Sequence, residues 1–282
     1  MFGPPVISVD IEDWPQSTWD RNLPITPRAR LNTHRILSLL AEANIRATLF
    51  VLGKFAEAFP EVVREMRDAG HEVACHGYGH VEIFNQSRNE FARDITRAKN
   101  ILEDILGARV RGYRAPDFSI VRPTLYALEI LSEAGFEYDS SIFPIRHRRY
   151  GIPDWPISPT RVCFPSGRSI VEVPIATVRL LEKNWPIGGG GYHRLLPGAL
   201  SRYLAKRAMG SAPFTLYCHP YELDAREFKE TSLPIPLSTR LHQGLGRRWF
   251  EKRLSGFLHR FGGQRMSDLL MSGAWPTLEL ST

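Results

Sequence analysis

The stretch VISVDIED at residues 6–13 determines how the rest of the sequence is interpreted. Its first part, residues 6–11, is short and rich in β-branched side chains, which is typical of a buried strand. Three carboxylates, Asp10, Glu12 and Asp13, crowd the end of this strand. Because carboxylates this close repel one another unless a cation or an arginine compensates, the stretch predicts a charged site at a strand end.

Apolar patterns with the periods of strands and helices alternate along the chain beyond this stretch. Strand-like runs occur at 47–52, 71–75, 109–113, 170–173, 175–178 and 214–218, and helix-like runs at 27–43, 60–69, 91–105 and 125–131. This alternation predicts an α/β protein with a parallel sheet and helices outside it. Prolines and a glycine run predict long loops between residues 144 and 200. Acidic and histidine residues recur after the predicted strands, where an α/β barrel has its active-site face.

The composition excludes several classes of protein. The 282 residues have a formal charge of +6, and residues 240–265 alone carry seven basic side chains against one acidic side chain. The rest of the chain is therefore balanced, and no nucleic-acid recognition motif accompanies the charge, so we expect no nucleic-acid partner. Three scattered cysteines form no disulfide framework. We predict a cytoplasmic protein, with peripheral contact at the inner membrane through residues 240–265 as an open alternative.

The segment His76-Gly-Tyr-Gly-His80 follows the third predicted strand. Two imidazoles four residues apart can bind one divalent metal if the chain turns sharply, which the two glycines permit. The same pair also fits a solvated loop, since the chain has nine histidines. A zinc hydrolase needs three protein ligands and an open position, so we expect the third ligand from the carboxylates of residues 10–13.

Three further residues at strand ends are candidates for chemistry. Arg114 is the natural counter-charge for the acidic stretch, because a guanidinium can bind a carboxylate through two hydrogen bonds. His219 is a candidate general acid, which needs a partner carboxylate, and Asp139 is the best candidate by position. The alternatives are an exposed salt bridge for Arg114 and a core histidine bonded to a backbone carbonyl for His219.

These five places, in this order, resemble the motifs of the polysaccharide deacetylases of carbohydrate esterase family four. The resemblance covers residues 6–220 and implies a distorted (β/α)₇ barrel of the nodulation type. It implies a catalytic domain at residues 1–222 and a C-terminal extension at residues 223–282, packed on the barrel.

The resemblance also implies roles for individual residues. Asp10 corresponds to the catalytic base, and Arg114 to the arginine that holds it. His76 and His80 correspond to ligands of Zn²⁺ or another divalent cation. His219 corresponds to the general acid and Asp139 to its carboxylate. Tyr192 and Leu216 are the candidate substrate contacts. The expected activity is removal of N-acetyl groups from an N-acetylated glycan.

The sequence departs from the usual family pattern in its first motif. An Asp-x-Glu-Asp arrangement replaces adjacent aspartates, similar to the branch with a peptidoglycan deacetylase and metal-independent allantoinases. By analogy Glu12 is the metal ligand, and Asp13 stays possible. Asp117 stands where an aromatic residue is usual, and Trp155 is a candidate for the fourth motif's tryptophan.

Other segments resemble the subgroup of the family that is associated with exosortases and exopolysaccharide synthesis. They are residues 114–119, 189–197 and 219–222. Within the second of these, the glycine run 188–191 with Tyr192 fits a sugar-binding loop and a flexible connector equally well. Two rival functions stay open: a metal-independent amidohydrolase acting on a small cyclic amide or ureide, and a non-catalytic glycan-binding scaffold.

The basic C-terminal segment contains a helical pattern. Phe250, Leu254, Phe257, Leu258 and Phe261 fall on one face of a helix. This face predicts a terminal helix packed on the barrel, and the alternative is an amphipathic helix on an anionic membrane.

Overall fold

The computed structural model describes residues 2–271 and 273–280. Its strands are β1 (Val6–Ile11), β2 (Thr48–Val51), β3 (Glu72–Cys75), β4 (Gly112–Tyr113), β5 (Tyr138–Asp139), β6 (Thr160–Cys163), β7 (Ser169–Glu172), β8 (Thr177–Leu180), β9 (Lys183–Pro186), β10 (Thr215–Cys218) and β11 (Thr277–Glu279). Its α-helices are α1 (Pro27–Glu42), α2 (Gly53–Ala58), α3 (Pro60–Asp68), α4 (Arg88–Leu106), α5 (Tyr126–Glu133), α6 (Gly190–Leu195), α7 (Gly198–Met209), α8 (Glu227–Glu230), α9 (Leu237–Gly244), α10 (Arg247–Phe261) and α11 (Met266–Met271).

One sheet organises the molecule, in the order β10-β1-β2-β3-β4-β5-β7-β6-β11. The strands from β10 to β7 all pair in parallel. Only beyond them does an antiparallel pair follow, β6 against β7. The predicted α/β class with a parallel sheet is therefore confirmed, and the seven parallel strands fit the (β/α)₇ barrel type.

Irregular backbone connects the two sides of the parallel sheet between β7 and β10. The N–H of Ala176 donates to the carbonyl of Thr215 at 3.2 Å, and the N–H of Tyr217 donates to the carbonyl of Gly188 at 2.7 Å. The N–H of Gly188 in turn donates to the carbonyl of Ala176 at 2.9 Å. These bonds take the place of a regular strand pair, which accounts for the distortion of the barrel.

Local sequence signals explain the outer helices, of which α4 is the clearest. It begins with a capping box, in which Ser87 and Glu90 each bond the other's backbone N–H. It ends at Gly107, whose φ of +63° lies in the left-handed region that glycine adopts at low cost. Its apolar residues at helical spacing, from Phe91 to Leu106, face the core and are buried.

The segment that the sequence predicts as long loops contains more regular structure than expected. Residues 160–172 form the β6–β7 hairpin, and residues 177–186 form a separate two-stranded antiparallel ribbon, β8–β9. The glycine run leads directly into α6 instead of forming a loop. Tertiary contacts stabilise these short elements, so local patterns in the sequence give only weak signals for them.

The C-terminal helix α10 packs on the barrel with its apolar face. Phe250, Leu254, Phe257 and Leu258 are buried, and Arg247 is buried with them in an ion pair with Glu227. The apolar face that the alternative assigned to a membrane is therefore covered by protein. In the described part of the chain, no helix has both the length and the apolar character needed to cross a bilayer.

Candidate active site

A cavity of about 250 Å³ opens at the carboxyl ends of β1, β3 and β10. Asp10 and Glu12 reach it from the end of β1, His76 and His80 from the segment after β3, and His219 from the residue after β10. Because parallel strands all end at this edge, residues that are far apart in sequence meet in one cavity. This is where the sequence predicted a charged site.

Three side chains in the cavity form a group that could hold a metal ion. One donor atom from each of Glu12, His76 and His80 lies within 4.8 Å of the other two. The Glu12 Oε2 atom is 2.8 Å from His80 Nε2 and 3.8 Å from His76 Nε2. The turn that brings the two rings together uses left-handed backbone at Gly77 (φ +75°) and at His80 (φ +61°).

The chemistry of this donor set fits a divalent cation. His76 Nδ1 lies 2.8 Å from the carbonyl oxygen of Arg114, which accepts a hydrogen bond and leaves Nε2 free to bind a metal. Apart from the His80 ring nitrogen 2.8 Å away, the buried Glu12 Oε2 atom has no hydrogen-bond partner among the described residues. Burial raises the pKa of the Glu12 carboxyl, but the surrounding imidazoles, His80 foremost, lower it to about 2. Two nitrogens and an anionic oxygen are ligands that zinc prefers.

Asp13 lies outside this group, although the sequence left it open as a ligand. Its Oδ2 atom accepts a hydrogen bond of 2.6 Å from the backbone N–H of Thr26, the residue that precedes α1. Burial raises the pKa of the Asp13 carboxyl to about 6, against the lowering effect of its bonds to Thr26. The structure therefore favours Glu12 as the carboxylate of the metal group.

Asp10 and Arg114 form a buried ion pair beside this group. Arg114 Nη1 donates to Asp10 Oδ1 at 2.7 Å and to Ser8 Oγ at 2.9 Å. The guanidinium is fixed further by bonds to the carbonyl and the hydroxyl of Ser140, each 2.9 Å long. The structure thus places Arg114 as the counter-charge of Asp10. Asp10 Oδ2, 3.9 Å from His219 Nε2, is left on the side of the cavity.

His219 also lines the cavity. The carboxylate that contacts its ring is Glu222 instead of the expected Asp139. The His219 Nδ1 atom is 3.3 Å from Glu222 Oε2, and the backbone N–H of His219 donates to the same oxygen at 3.0 Å. Burial lowers the pKa of the ring, but the carboxylates around it, Glu222 foremost, raise it to about 9. His219 Nε2 points towards the cavity, 3.4 Å from Glu12 Oε1.

Sequence reasoning missed both Glu222 and the arginine that holds it. Arg194 Nε, on α6, is 3.2 Å from Glu222 Oε1, and both side chains are buried. The available signal was local: Glu222 is three residues after His219, the spacing of a side chain that caps a short helical turn. Arg194, in contrast, meets Glu222 only through tertiary packing.

The glycine run 188–191 is explained by this same packing. A Cβ atom on Gly188 would lie 2.4 Å from the Thr215 carbonyl oxygen, and one on Gly190 would lie 2.2 Å from Glu222 Oε2. Real Cβ atoms do not approach so closely, so these positions require glycine. The run therefore lets α6 approach β10 and Glu222.

Asp139 is buried at the end of β5 in a pair with Glu172, its neighbour in the parallel strand pairing. Asp139 Oδ1 accepts a hydrogen bond of 2.6 Å from Ser141 Oγ, and the same hydroxyl accepts a bond of 2.7 Å from the N–H of Ala115. Burial, together with the charge of Asp139, raises the pKa of Glu172 well above its usual range. Asp139 thus supports the loop that carries Arg114 and does not contact His219.

Of the other candidate residues, only Asp117 lines the cavity. The Leu216 side chain is buried in the hydrophobic core, and its neighbour Tyr217 lines the cavity in its place. Tyr192 lines an adjacent groove. Trp155 is buried in the hydrophobic core. Asp117 lines the cavity and bonds Arg149 at 2.8 Å.

Together, the parallel barrel and the buried donors define an α/β barrel protein with a candidate metal centre at the carboxyl edge of its strands. Comparison with known proteins agrees with this class. Residues 15–138 match the polysaccharide deacetylase family, and residues 140–271 match a domain of unknown function, DUF3473.

Two relatives and one solved structure illustrate the similarity. The chain is 35% identical over 148 residues to a chitooligosaccharide deacetylase of Sinorhizobium fredii, covering 52% of this chain and 61% of that protein. It is 32% identical over 108 residues to a peptidoglycan deacetylase of Helicobacter pylori, covering 38% and 36%. The matches thus span less than two thirds of either relative.

The solved structure is that of a Mycobacterium smegmatis protein assigned to the polysaccharide deacetylases. It superposes with a TM-score of 0.61 and 20% identity, covering 99% of this chain and 98% of that one. At this level of identity, the similarity shows a common fold.

Proposed function

We propose that this protein is a metal-dependent hydrolase that removes N-acetyl groups from N-acetylhexosamine units of a bacterial polysaccharide. The substrate we propose is an exopolysaccharide or its lipid-linked precursor. One observation carries the proposal: the buried Glu12, His76 and His80 group shares a single cavity with the Asp10–Arg114 pair and His219.

The metal group in this proposal consists of Glu12, His76 and His80, with Zn²⁺ as the expected ion. A divalent cation there would supply a Lewis acid for the acetyl carbonyl. Three protein ligands leave a coordination position open, as in catalytic zinc sites. The hydrogen bond from His76 Nδ1 to the Arg114 carbonyl fixes the ring orientation and links the metal ligands to the Asp10 ion pair.

Asp10 is the general base of the proposed reaction. Its Oδ1 atom is occupied by Arg114, so Oδ2 is the atom that takes a proton from the attacking water. A buried arginine held by four hydrogen bonds keeps this carboxylate in one orientation. General base catalysis of this kind contributes a factor of about 10²–10⁴ in rate.

His219 is the general acid, and Glu222 and Arg194 position it. With Nδ1 directed to Glu222, the proton on Nε2 faces the cavity, where it can be transferred to the departing sugar nitrogen. Base and acid thus stand on the same side of the donor group, their Asp10 Oδ2 and His219 Nε2 atoms 3.9 Å apart. Their environments differ in charge: the Asp10 carboxylate lies beside a cation, whereas the His219 imidazole lies among carboxylates.

Metal removal tests the proposal against its rivals. We expect the purified protein to release acetate from chito-oligosaccharides, to lose this activity with its metal on chelation, and to regain it with Zn²⁺. Undiminished activity in protein shown by elemental analysis to be metal-free would overturn the metal role and favour the amidohydrolase rival. Binding of the oligosaccharide without any acetate release would favour the scaffold.

The proposal retains residues 1–222 as the catalytic domain, since every proposed catalytic side chain lies before residue 223. The extension at 223–282 returns to the sheet through β11, which pairs with β6.

The exposed surface of this extension supports peripheral contact with a membrane. The surface involved is not the apolar face of α10 that the sequence indicated. Leu237 and Leu241 on α9, with Leu245 directly after its end, form a row of residues that are 70%, 64% and 63% exposed.

This α9 row is suited to an anionic membrane. Trp249, near the start of α10, is also exposed, and Arg248 and Lys252 on the same helix are exposed cations. Apolar and aromatic side chains flanked by cations are typical of helices that lie in the membrane interface. Gln243 on the same helix lines the active-site cavity, so docking would present the cavity close to a lipid-linked glycan.

Vesicle co-sedimentation tests this surface. We expect the protein to sediment with vesicles containing phosphatidylglycerol, and the double variant Leu241→Glu/Leu245→Glu to remain in solution. Leu31→Glu is the matched control, because Leu31 is equally exposed, at 60%, but lies on α1. Equal sedimentation of both variants, or none for the unmodified protein, would contradict membrane docking.

A further inference from the structure

A second groove, of about 650 Å³, lies next to the active-site cavity. One wall is the loop at residues 144–147, and the other is the β8–β9 ribbon. Trp185 on the ribbon lines the groove, and half of its side chain, 52%, is exposed. Aromatic side chains that line a concave surface are typical of ligand-binding clefts.

Two tyrosines join the groove to the active-site cavity. Tyr150 lines the cavity and Tyr192 lines the groove, and the two side chains interact closely enough for each to affect the pKa of the other. The His147 ring stacks on Tyr150, with centroids 3.9 Å apart, and itself lines the groove. The groove is therefore a continuation of the proposed catalytic cavity across a shared aromatic wall.

Cations from both walls of the groove lack carboxylate partners. Arg146 comes from the loop, and Arg179 and Lys183 from the ribbon; all three are exposed. Within residues 2–271 and 273–280, none of the three forms an ion pair. Glu182 also lines the groove, so its lining has a net positive charge. Unpaired cations that converge on a concave surface attract anionic ligands.

We propose that this groove binds anionic sugar units of the same glycan strand whose N-acetyl group enters the cavity. This inference rests on the proposed function and specifies its substrate class as a glycan with carboxylate or phosphate groups beside the N-acetylhexosamine. The apolar face of Trp185 packs against a sugar ring. Arg146, Arg179 and Lys183 bind the anionic oxygens through charge-assisted hydrogen bonds.

Two oligosaccharides of equal length test the charge preference. Heparosan hexasaccharide alternates N-acetylglucosamine with glucuronic acid, whereas chitohexaose is neutral. We expect the metal-loaded protein to have a higher kcat/KM for acetate release from heparosan. In Arg179→Ala/Lys183→Ala, kcat/KM for heparosan should fall at least about tenfold, while that for chitohexaose changes little, because only the charged ligand loses its bonds. Trp185→Ala should lower both.

A matched control and a second anion complete the test. Arg64→Ala/Arg93→Ala removes two exposed arginines from the outer helices α3 and α4 and should leave both values unchanged. A chito-oligosaccharide with a terminal phosphate separates phosphate from carboxylate: a preference for either anion that the groove variant loses supports the proposal. Equal kcat/KM values for anionic and neutral substrates, or no change in the groove variant, would overturn it.

Direct binding separates this inference from the proposed function. If the protein releases no acetate from any substrate, the proposed function fails, and the groove is then tested by calorimetric titration with heparosan hexasaccharide. Binding that weakens at least about tenfold in Arg179→Ala/Lys183→Ala, but not in Arg64→Ala/Arg93→Ala, supports the groove. Absent binding, or equal binding by both variants, overturns it.

Discussion

The two halves of the barrel contribute different parts of the site. The half before residue 139 supplies the metal donors and the Asp10–Arg114 pair from regular strand ends. The half after it supplies His219 from the end of β10, Glu222 from the short helical turn that follows it, and Arg194 from α6. The family comparison divides at almost the same place, between residues 138 and 140.

This difference indicates that the two halves of the barrel have separate roles in the proposed enzyme. The first half holds the metal and the base in positions that depend on short spacings after consecutive strands. The second half positions the acid and forms the groove through packing between distant segments. If this is correct, variants in the first half should abolish metal binding or base catalysis, whereas variants in the second half should spare the metal.

The largest effect is expected for His76→Ala. Removing one of three protein ligands should weaken metal binding more than 100-fold, since loss of a hydrogen bond behind a ligand already costs about 10–100-fold. Acetate release should fall to background. Elemental analysis after gel filtration measures the metal content, and Leu31→Ala, an exposed residue on α1, is the control. Retained metal at one ion per chain would contradict the assignment of His76.

His219→Ala should distinguish the roles of the two halves most clearly. We expect kcat to fall by about 10²–10⁴, because a general acid is lost, while the metal content stays that of the unmodified protein. Parallel metal analysis and acetate assays decide this. Loss of the metal together with activity would mean that the second half also contributes a ligand. This result would contradict separate roles for the two halves.

Glu222→Gln should give a smaller loss of kcat than His219→Ala, about tenfold, because the acid is still present but less well oriented. KM and metal content should be unchanged. Glu222→Asp, which retains the charge, should recover part of the loss. A loss in both variants that follows a lowered melting temperature would instead indicate a purely structural role for Glu222.

The smallest expected effect concerns stability at acid pH in the second half. Burial lowers the pKa of His193 to about 4, from an ordinary value near 6.5. Between these values the unfolded chain binds a proton that the folded protein does not, so the free energy of unfolding falls as pH falls. From pH 7 to pH 5, His193 alone should account for a loss of about 2 kcal/mol.

Urea unfolding at the two pH values measures this loss. His193→Asn should show a weaker dependence on pH than the unmodified protein. His259→Asn, a change at an exposed histidine on α10, is the control and should keep the full dependence. An identical loss in His193→Asn would show that another group is responsible.

The sequence predicted that His76, His80 and the Asp10–Arg114 pair meet because parallel strands all end at one edge, but it left Glu12 and Asp13 open as the carboxylate donor. His76 and Asp10 could be placed there from the pattern of their own strands alone. Glu222 was missed because Asp139 also follows a strand, and sequence position cannot show which carboxylate reaches the His219 ring. Arg194 and the glycine run depend on how α6 packs against β10, which no local pattern reveals.

The C-terminal segment shows the same limit. The helical pattern of Phe250 to Phe261 correctly indicated an apolar face, and the structure shows that the barrel covers it. The exposed row of Leu237, Leu241 and Leu245 could be recognised only after the structure showed that no described residue buries it. Burial of an amphipathic face is a tertiary property, so the sequence left both possibilities open.

Acetate release by Asp10→Asn tests the central claim most directly. The substitution preserves size and removes the charge of the proposed base, while Glu12, His76 and His80 are untouched. The proposed function predicts an unchanged fold and metal content, with kcat reduced by about 10²–10⁴ on chitohexaose. Near-normal acetate release by this variant, at full metal content, would contradict the assignment of Asp10 and with it the proposed mechanism.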